Sequence, residues 1–174
     1  MSPLFLLVLA VTVFGFSTAA ETDRTPVANR HLEPSSSPYD WHVEMLDLVN
    51  QQRAANGVRP LCMNKKLQTA AQVHSTDMAT HNCMNHKGWD GSQPQDRVKT
   101  AGYVATTTGE NVASGQQSVR AVMDSWMKSP KHRANILCPN FTMFGCGYDT
   151  TTKPQFSSFW TQVFAASETE QCSK

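Results

Sequence analysis

The stretch Phe141-Thr-Met-Phe-Gly-Cys-Gly-Tyr148 is rich in aromatic and β-branched residues, and so is Phe156-Ser-Ser-Phe-Trp-Thr-Gln-Val-Phe164 after it. Residues of these types favour strands. The segment Asp149 to Pro154 separates the two stretches and contains turn-forming residues, so we predict that they pair as an antiparallel hairpin. A shorter strand-like segment, Gly109 to Ala113, precedes them in the chain.

Upstream of the hairpin, four segments have apolar residues at helical spacing. Ser37 precedes Pro38, which suits a first helical position, and Asn64 is expected to cap the second helix. Pro130 is expected to end the fourth helix. The predicted helices cover residues 38–57, the stripe from Leu67 to Met78, residues 92–102 and residues 118–127. Helices followed by a hairpin indicate an α+β fold in which helices pack on an antiparallel sheet.

The first residues of the chain predict secretion. An almost unbroken apolar run extends from Leu4 to Phe16, and Ser17 to Ala20 supplies the small residues that signal peptidase requires. We therefore predict a signal peptide over residues 1–20. The run is shorter than the roughly 20 apolar residues needed to span a bilayer, and no transmembrane segment is expected after cleavage.

The composition of the following residues predicts a leader, one domain and a short tail. Residues 21–37 are polar and rich in proline and serine, which is typical of disorder. Within them, Arg30-His31-Leu32-Glu33 resembles the Arg-x-Leu-Arg host-entry motif of oomycete effectors, but the missing final arginine favours a chance match. The domain is predicted over residues 38–166 and the tail over residues 167–174.

Charge and cysteine content narrow the function classes. With 15 basic and 14 acidic residues, the chain has neither the basic surface expected of a nucleic-acid-binding protein nor a polybasic patch for lipid headgroups. In a secreted chain five cysteines predict two disulfides and one odd thiol, and the sequence leaves the pairing open. The candidates are Cys62, Cys83, Cys138, Cys146 and Cys172.

Three polar residues are candidates for a shared site. His86 and His132 stand in polar loop contexts, and Glu110 follows Gly109 in the strand-like segment. Two imidazoles and a carboxylate suit zinc, because neutral histidine is a good nitrogen ligand for this metal. Exposed loop histidines without a shared role are the alternative, and no common hydrolase or phosphate-binding motif is present in the sequence.

A series of motifs in order along the chain resembles the CAP superfamily, which includes cysteine-rich secretory proteins, antigen 5 and plant pathogenesis-related class 1 proteins. The motifs extend over nearly the whole predicted domain, from about Trp41 to Phe164. They are Asn50-Gln-Gln-Arg-Ala54, His74-Ser-Thr-Asp-Met78, Asn85-His86, Gly109-Glu-Asn-Val-Ala113, Ser125-Trp126, His132-Arg-Ala-Asn-Ile-Leu137, Phe144-Gly-Cys-Gly-Tyr148 and Trp160-Thr-Gln-Val-Phe164. The form of the His132 motif is similar to the short microbial branch of the superfamily.

The resemblance implies a three-layer α-β-α sandwich with a small antiparallel sheet and a central cleft. It also implies a tetrad of two histidines and two glutamates, in which the histidines hold a divalent metal. Matched by motif, the histidines are His86 and His132, and one glutamate is Glu110. Ser129 occupies the position of the second glutamate and is expected to line the cleft, so the tetrad is incomplete.

Three hypotheses of function follow from the resemblance. The first is a secreted, non-catalytic protein that binds a sterol, a fatty acid or another extracellular ligand, with a role between microbe and host. The second is a zinc-dependent hydrolase in which His86 and His132 hold the metal and Glu110 acts as general base. The third is a scaffold that contacts a host surface protein, with a vestigial cleft. The incomplete tetrad favours a protein that is not an enzyme.

Other polar residues are assigned roles outside this site. His74 shares a helical face with apolar residues, which favours a core histidine bonded to a backbone carbonyl over a metal ligand. Asn140 begins an Asn-Phe-Thr sequon and is a candidate for N-glycosylation. Trp89, Asp90 and Arg97 follow the His86 loop, and we expect them to be rim and helix-packing residues.

Overall fold

The computed structural model describes residues 40–153 and 156–173. The predicted signal peptide, the leader with its Arg30–Glu33 motif, Ser37 and Pro38 lie outside these residues. Among the described residues, no helix combines the length and apolar character needed to cross a membrane. The elements are α1 (Trp41–Ala55), β1 (Cys62–Met63), α2 (Lys65–His81), α3 (Pro94–Thr100), β2 (Thr107–Ser114), α4 (Val119–Lys128), α5 (Pro130–Ile136), β3 (Met143–Thr150) and β4 (Ser158–Ala166).

Polar side chains fix the starts of the three longest helices. The Asn64 side chain accepts hydrogen bonds from the backbone N–H groups of Lys66 and Leu67, and Ser118 caps α4 in the same way. Both caps satisfy N–H groups that have no partner inside the helix, and the Asn64 cap was predicted. The expected start of α1 at Pro38 is wrong, because Asp40 is the N-cap and the helix begins at Trp41.

Pro130 begins a helix instead of only ending one. It is the first residue of α5, which the sequence pattern did not predict. Proline suits this position because its missing N–H would have no intrahelical partner and its φ angle is already helical. The third predicted helix is present but shorter, over Pro94–Thr100.

The sheet has the strand order β1-β3-β4-β2. The predicted hairpin is confirmed, since β3 and β4 pair in antiparallel register with Tyr148 opposite Trp160. The strand-like segment around Gly109 is β2, which pairs antiparallel with β4 and forms an edge of the sheet. The two-residue strand β1 was not predicted and pairs parallel to β3, so the sheet is mixed.

Helices cover both faces of the sheet, which confirms the α-β-α sandwich. On one face, α2 approaches β3 so closely that a Cβ atom at Gly145 would lie 2.2 Å from the backbone nitrogen of Gln68. Glycine is therefore required at this position for α2 to pack. On the other face, α1, α4 and α5 bury an apolar core against the sheet, formed by Met45, Val49, Val122, Met123, Trp126, Ile136, Phe144, Trp160 and Phe164 among others.

One disulfide is present among the described residues, between Cys62 and Cys172, in place of the two that were predicted. Cys83, Cys138 and Cys146 are free thiols. Cys146 is wholly buried in the core beside α1, and burial raises the pKa of its thiol well above the ordinary value. Cys83 follows α2 on the opposite side of the sheet and is exposed, so these two thiols cannot pair without rearranging the layers.

The tail is held against the start of α2. The backbone N–H of Ser173 donates to the carbonyl of Met63, and the Asn64 side chain donates to the carbonyl of Gln171. Lys66 and Glu170 form an ion pair at 2.7 Å. These contacts and the disulfide attach residues 170–173 to β1 and α2.

Candidate functional site

Glu110 is the centre of a buried polar cluster at the edge of the sheet. It lies on β2, and its side chain is 2% exposed. One carboxylate oxygen, Oε1, lies 2.9 Å from Nδ1 of His86. The other, Oε2, accepts a hydrogen bond from Nη2 of Arg97 at 2.7 Å. The structure thus brings two of the three predicted site residues together and adds an arginine.

His86 lies in the loop between α2 and α3 and is fixed on both its ring and its backbone. Because an ionised carboxylate only accepts, the contact with Glu110 requires Nδ1 to carry the proton, and Nε2 then holds the free lone pair of the neutral ring. Arg97 also donates to the backbone carbonyl of His86 at 2.9 Å. The ring is 52% exposed, so it can reach a ligand in solvent while its orientation stays defined.

His132 is positioned by its backbone. It lies in α5, and its carbonyl accepts a hydrogen bond from the Asn111 side chain at 3.1 Å. The same amide donates to Gln162, and Asn135 donates to Asn111 and to the backbone carbonyl of Glu110. Burial lowers the pKa of His132, and a positive charge on His86, when that ring is protonated, lowers it further. The neutral, metal-binding form of the ring is favoured for this reason.

Glu110 and Asn111 are adjacent in β2 and face opposite sides of the sheet. Glu110 is opposite Val163, which packs in the α2 and α3 layer. Asn111 is opposite Gln162, whose side chain lies against Met45 and Met123 in the other layer. His86 is therefore held from one layer and His132 from the other.

His74 is a core histidine, as predicted. It is fully buried, and Nε2 donates to the carbonyl of Asn85 at 2.7 Å. This bond fixes the start of the His86 loop. Burial lowers the pKa of His74, while the negative charge of Glu110, 3.8 Å from Nε2, acts in the opposite direction.

Arg97 has a larger role than its sequence context indicated. Its side chain is 6% exposed, and besides Glu110 and His86 it donates to the carbonyl and hydroxyl of Ser92. It connects α3, the His86 loop and β2. The sequence contains only a weak signal for this role, namely a basic residue beside the buried Val98 in a short helix. Trp89 is 70% exposed and stacks on His81, in agreement with a rim position.

Ser129 marks the junction of α4 and α5, and its side chain makes no capping hydrogen bond. Its hydroxyl cannot supply the charge of the expected second glutamate. Within residues 40–153 and 156–173, no group of three or more histidine, cysteine, aspartate or glutamate side chains is placed to hold a metal. Asn140 is exposed in the turn before β3, and its glycosylation stays a prediction.

Comparison with known proteins identifies the family. The model of the cysteine-rich secretory protein family, CAP, matches residues 46–164. This chain belongs to the CAP family. It is 38% identical over 149 residues to the uncharacterized protein YkwD of Bacillus subtilis, covering 85% of this chain and 53% of YkwD. The CAP chain thus spans about half the length of that relative.

Solved structures of the same fold include two bacterial surface or extracellular proteins. An extracellular protein containing a SCP domain from Bacillus anthracis superposes with a TM-score of 0.65 at 25% identity, over 76% of this chain and 45% of that one. An outer surface protein from Borrelia burgdorferi has a TM-score of 0.64 at 18% identity, over 71% and 90% of the two chains. The CAP domain here is therefore of the type found in extracellular proteins.

Proposed function

We propose that this chain is a secreted, non-catalytic CAP-domain protein that binds an extracellular ligand at a cleft where His86 and His132 hold a divalent metal ion. The observation that carries the proposal is the Glu110 carboxylate, both of whose oxygens are engaged. Oε1 accepts from His86 and Oε2 accepts from Arg97, at 2.9 and 2.7 Å.

These contacts suit Glu110 to orienting a metal ligand. A metal-binding histidine commonly donates its other ring N–H to a carboxylate, which fixes the ring and makes it a better ligand. Glu110 has this relation to His86. Burial lowers the pKa of His132 and so favours its neutral form, and a neutral imidazole is the form that binds zinc.

The same contacts argue against Glu110 as a general base. The side chain of Glu110 is 2% exposed and both of its oxygens are hydrogen-bonded to protein groups, so neither oxygen is presented to a water molecule that it could activate. Two protein ligands are also fewer than the three usual in catalytic zinc sites. A bound zinc ion would supply Lewis acidity and open coordination positions for a polar group of a ligand.

The fold family supports zinc as the metal to test first. NaASP2, a protein of the same fold with a TM-score of 0.51 at 11% identity, was crystallised with Zn²⁺. The ligand classes proposed for the cleft are a sterol or a fatty acid, with a host surface protein as the alternative. The proposal also includes secretion of the chain, directed by a signal peptide at residues 1–20.

Zinc titration by calorimetry tests the metal site. We expect saturable heat from the wild-type protein and none from the double variant His86→Ala/His132→Ala. The variant His42→Ala is the matched control, because it also removes a histidine but lies at the start of α1, where the hydrogen bonds of His42 are to Asp40, two residues away. Equal zinc heats from the wild type and the double variant would refute the site.

Two further measurements address the ligand and the reaction. A fluorescent sterol or fatty acid should bind saturably to the mature protein and be displaced by its unlabelled form. Hydrolysis of ester or peptide substrates should be absent with zinc present. Hydrolysis that disappears in the variant Glu110→Gln would instead assign Glu110 a catalytic role and overturn the non-catalytic proposal.

A further inference from the structure

A groove between α2 and α3 lies apart from the rings of His86 and His132. Its volume is about 260 Å³. Its lining combines three apolar residues with six polar or charged ones. The lining residues are Thr69, Ala70, Val73, Asp77, Asp90, Ser92, Arg97, Thr100 and Ala101.

The apolar part of the groove includes an exposed hydrophobic side chain. Val73 is 56% exposed although it lies on α2, whose other apolar residues are buried in the core. Ala70 and Ala101 are small, which leaves the space between the two helices unfilled. A ligand with an alkyl chain would remove Val73 from water, and burial of apolar surface is favourable.

The carboxylates of Asp77 and Asp90 give the groove a negative charge that a cationic ligand would neutralise. The charge of Arg97 is balanced by Glu110, and its two terminal nitrogens already donate to Glu110, His86 and Ser92. Among the described residues, the carboxylates of Asp77 and Asp90 contact backbone N–H groups, Ser92 and His81 rather than a lysine or arginine. Asp77 accepts from the backbone N–H of Trp89 and lies 3.1 Å from Nδ1 of His81.

Asp90 is charged at neutral pH. Hydrogen bonds from Ser92 hold the pKa of its carboxyl below the ordinary value. Asp90 and Asp77 both line the groove, and each can accept further hydrogen bonds because a carboxylate accepts about four. The groove therefore combines an apolar wall with two carboxylates, which is complementary to a cation carrying a hydrocarbon chain.

We propose that this groove binds a primary alkylammonium ligand of about eight carbons. The ammonium group donates its three hydrogen bonds to Asp77 and Asp90, and the alkyl chain lies along Val73, Ala70 and Ala101. The size follows from the volume, since 260 Å³ holds about nine atoms at roughly 30 Å³ each, the share of one water molecule in the liquid. Drug-sized ligands occupy larger pockets, of about 300–1,000 Å³.

Nuclear magnetic resonance titration of the ¹⁵N-labelled protein with octylammonium tests this assignment, without added metal. We expect saturable shifts at the amides of Ala70, Val73 and Ala101. Octanoate and octanol, which have the same chain without the positive charge, should bind at these amides at least about tenfold more weakly. The absence of shifts at the three amides would overturn the proposal, and so would equal affinity for all three probes.

A charge variant and its control complete the test. Asp77→Asn/Asp90→Asn should weaken octylammonium binding about tenfold or more while keeping the amide spectrum of a folded protein, because asparagine retains an acceptor oxygen. Asp47→Asn/Asp124→Asn removes two exposed carboxylates from the opposite layer and should leave binding unchanged. Equal losses of octylammonium affinity in both double variants would show that only the net charge of the protein matters, and this would overturn the site. Neither outcome depends on zinc binding by His86 and His132.

Discussion

Replacing Arg97 with methionine should destabilise the protein strongly. The substitution keeps a long, flexible side chain but leaves the Glu110 carboxylate, 2% exposed, without its counterion at 2.7 Å. Removing one partner of a buried ion pair typically costs about 3–5 kcal/mol, because the remaining charge stays buried and unpaired. We expect a loss of about 3 kcal/mol or more in the free energy of unfolding, measured by urea denaturation at pH 7. For a domain of this size, that loss corresponds to a fall of about 6 °C or more in Tm.

A double-mutant cycle separates the ion pair from the packing of the arginine stem. Arg97→Met/Glu110→Gln removes both charges, so it should recover part of the loss and give a coupling energy of about 2 kcal/mol. Arg120→Met is the matched control. Arg120 pairs with Glu44 at 3.3 Å but is 74% exposed, and an exposed pair contributes about 0–1 kcal/mol. A coupling energy near zero, or equal losses at positions 97 and 120, would refute the reasoning.

Three other predictions concern the framework of the site. Gly145→Ala places a Cβ against the backbone of α2 and should lower the free energy of unfolding by at least about 3 kcal/mol. In the control Gly57→Ala the new Cβ meets no atom within 4 Å, so the loss should be only the strain of a φ of +68°, about 1 kcal/mol. Similar losses for the two variants in urea denaturation would contradict the close packing. Burial holds the folded pKa of His74 below 6.5, so its contribution to stability is fully present above about pH 6.5 and is lost as the pH falls through the folded pKa. The variant His74→Gln should lack this part of the pH dependence of stability, and a profile equal to that of the wild type would contradict the prediction. The Cys62–Cys172 bond closes a loop of 110 residues, so the variant Cys62→Ser/Cys172→Ser should lose about 2–5 kcal/mol, and undiminished stability would show that the bond adds nothing to the tail contacts.

Local signals were sufficient for most of the framework. Asn64 and Ser118 precede helices in the sequence and cap them in the structure, since a cap depends on residues only two or three positions away. The strands β3 and β4 were predictable from their aromatic and β-branched residues. Pro130 was misleading because proline both interrupts a helix interior and suits a first turn.

Contacts between residues distant in the chain were harder to predict. The motif match indicated that Glu110 and His86 share a site, but no local pattern shows that Arg97 is the counterion of Glu110. Its pairing depends on how α3 packs beside β2. The parallel pairing of β1 has the same origin, because a strand of two residues has too few side chains for a recognisable alternation. Cysteine number alone overestimated the disulfides, since the number of thiols does not show which of them the fold brings together.

The opposite orientation of Glu110 and Asn111 on β2 has a mechanical consequence. One peptide bond separates the residue that orients His86 from the residue that holds His132, yet each histidine belongs to a different helical layer. Any force that shifts α5 relative to the loop before α3 is transmitted across this single link at the sheet edge and changes the span between the two imidazoles. Under the proposed function, a ligand that shifts either layer is expected to change the affinity of the two histidines for a metal, and metal binding is expected to change the affinity for that ligand to the same extent.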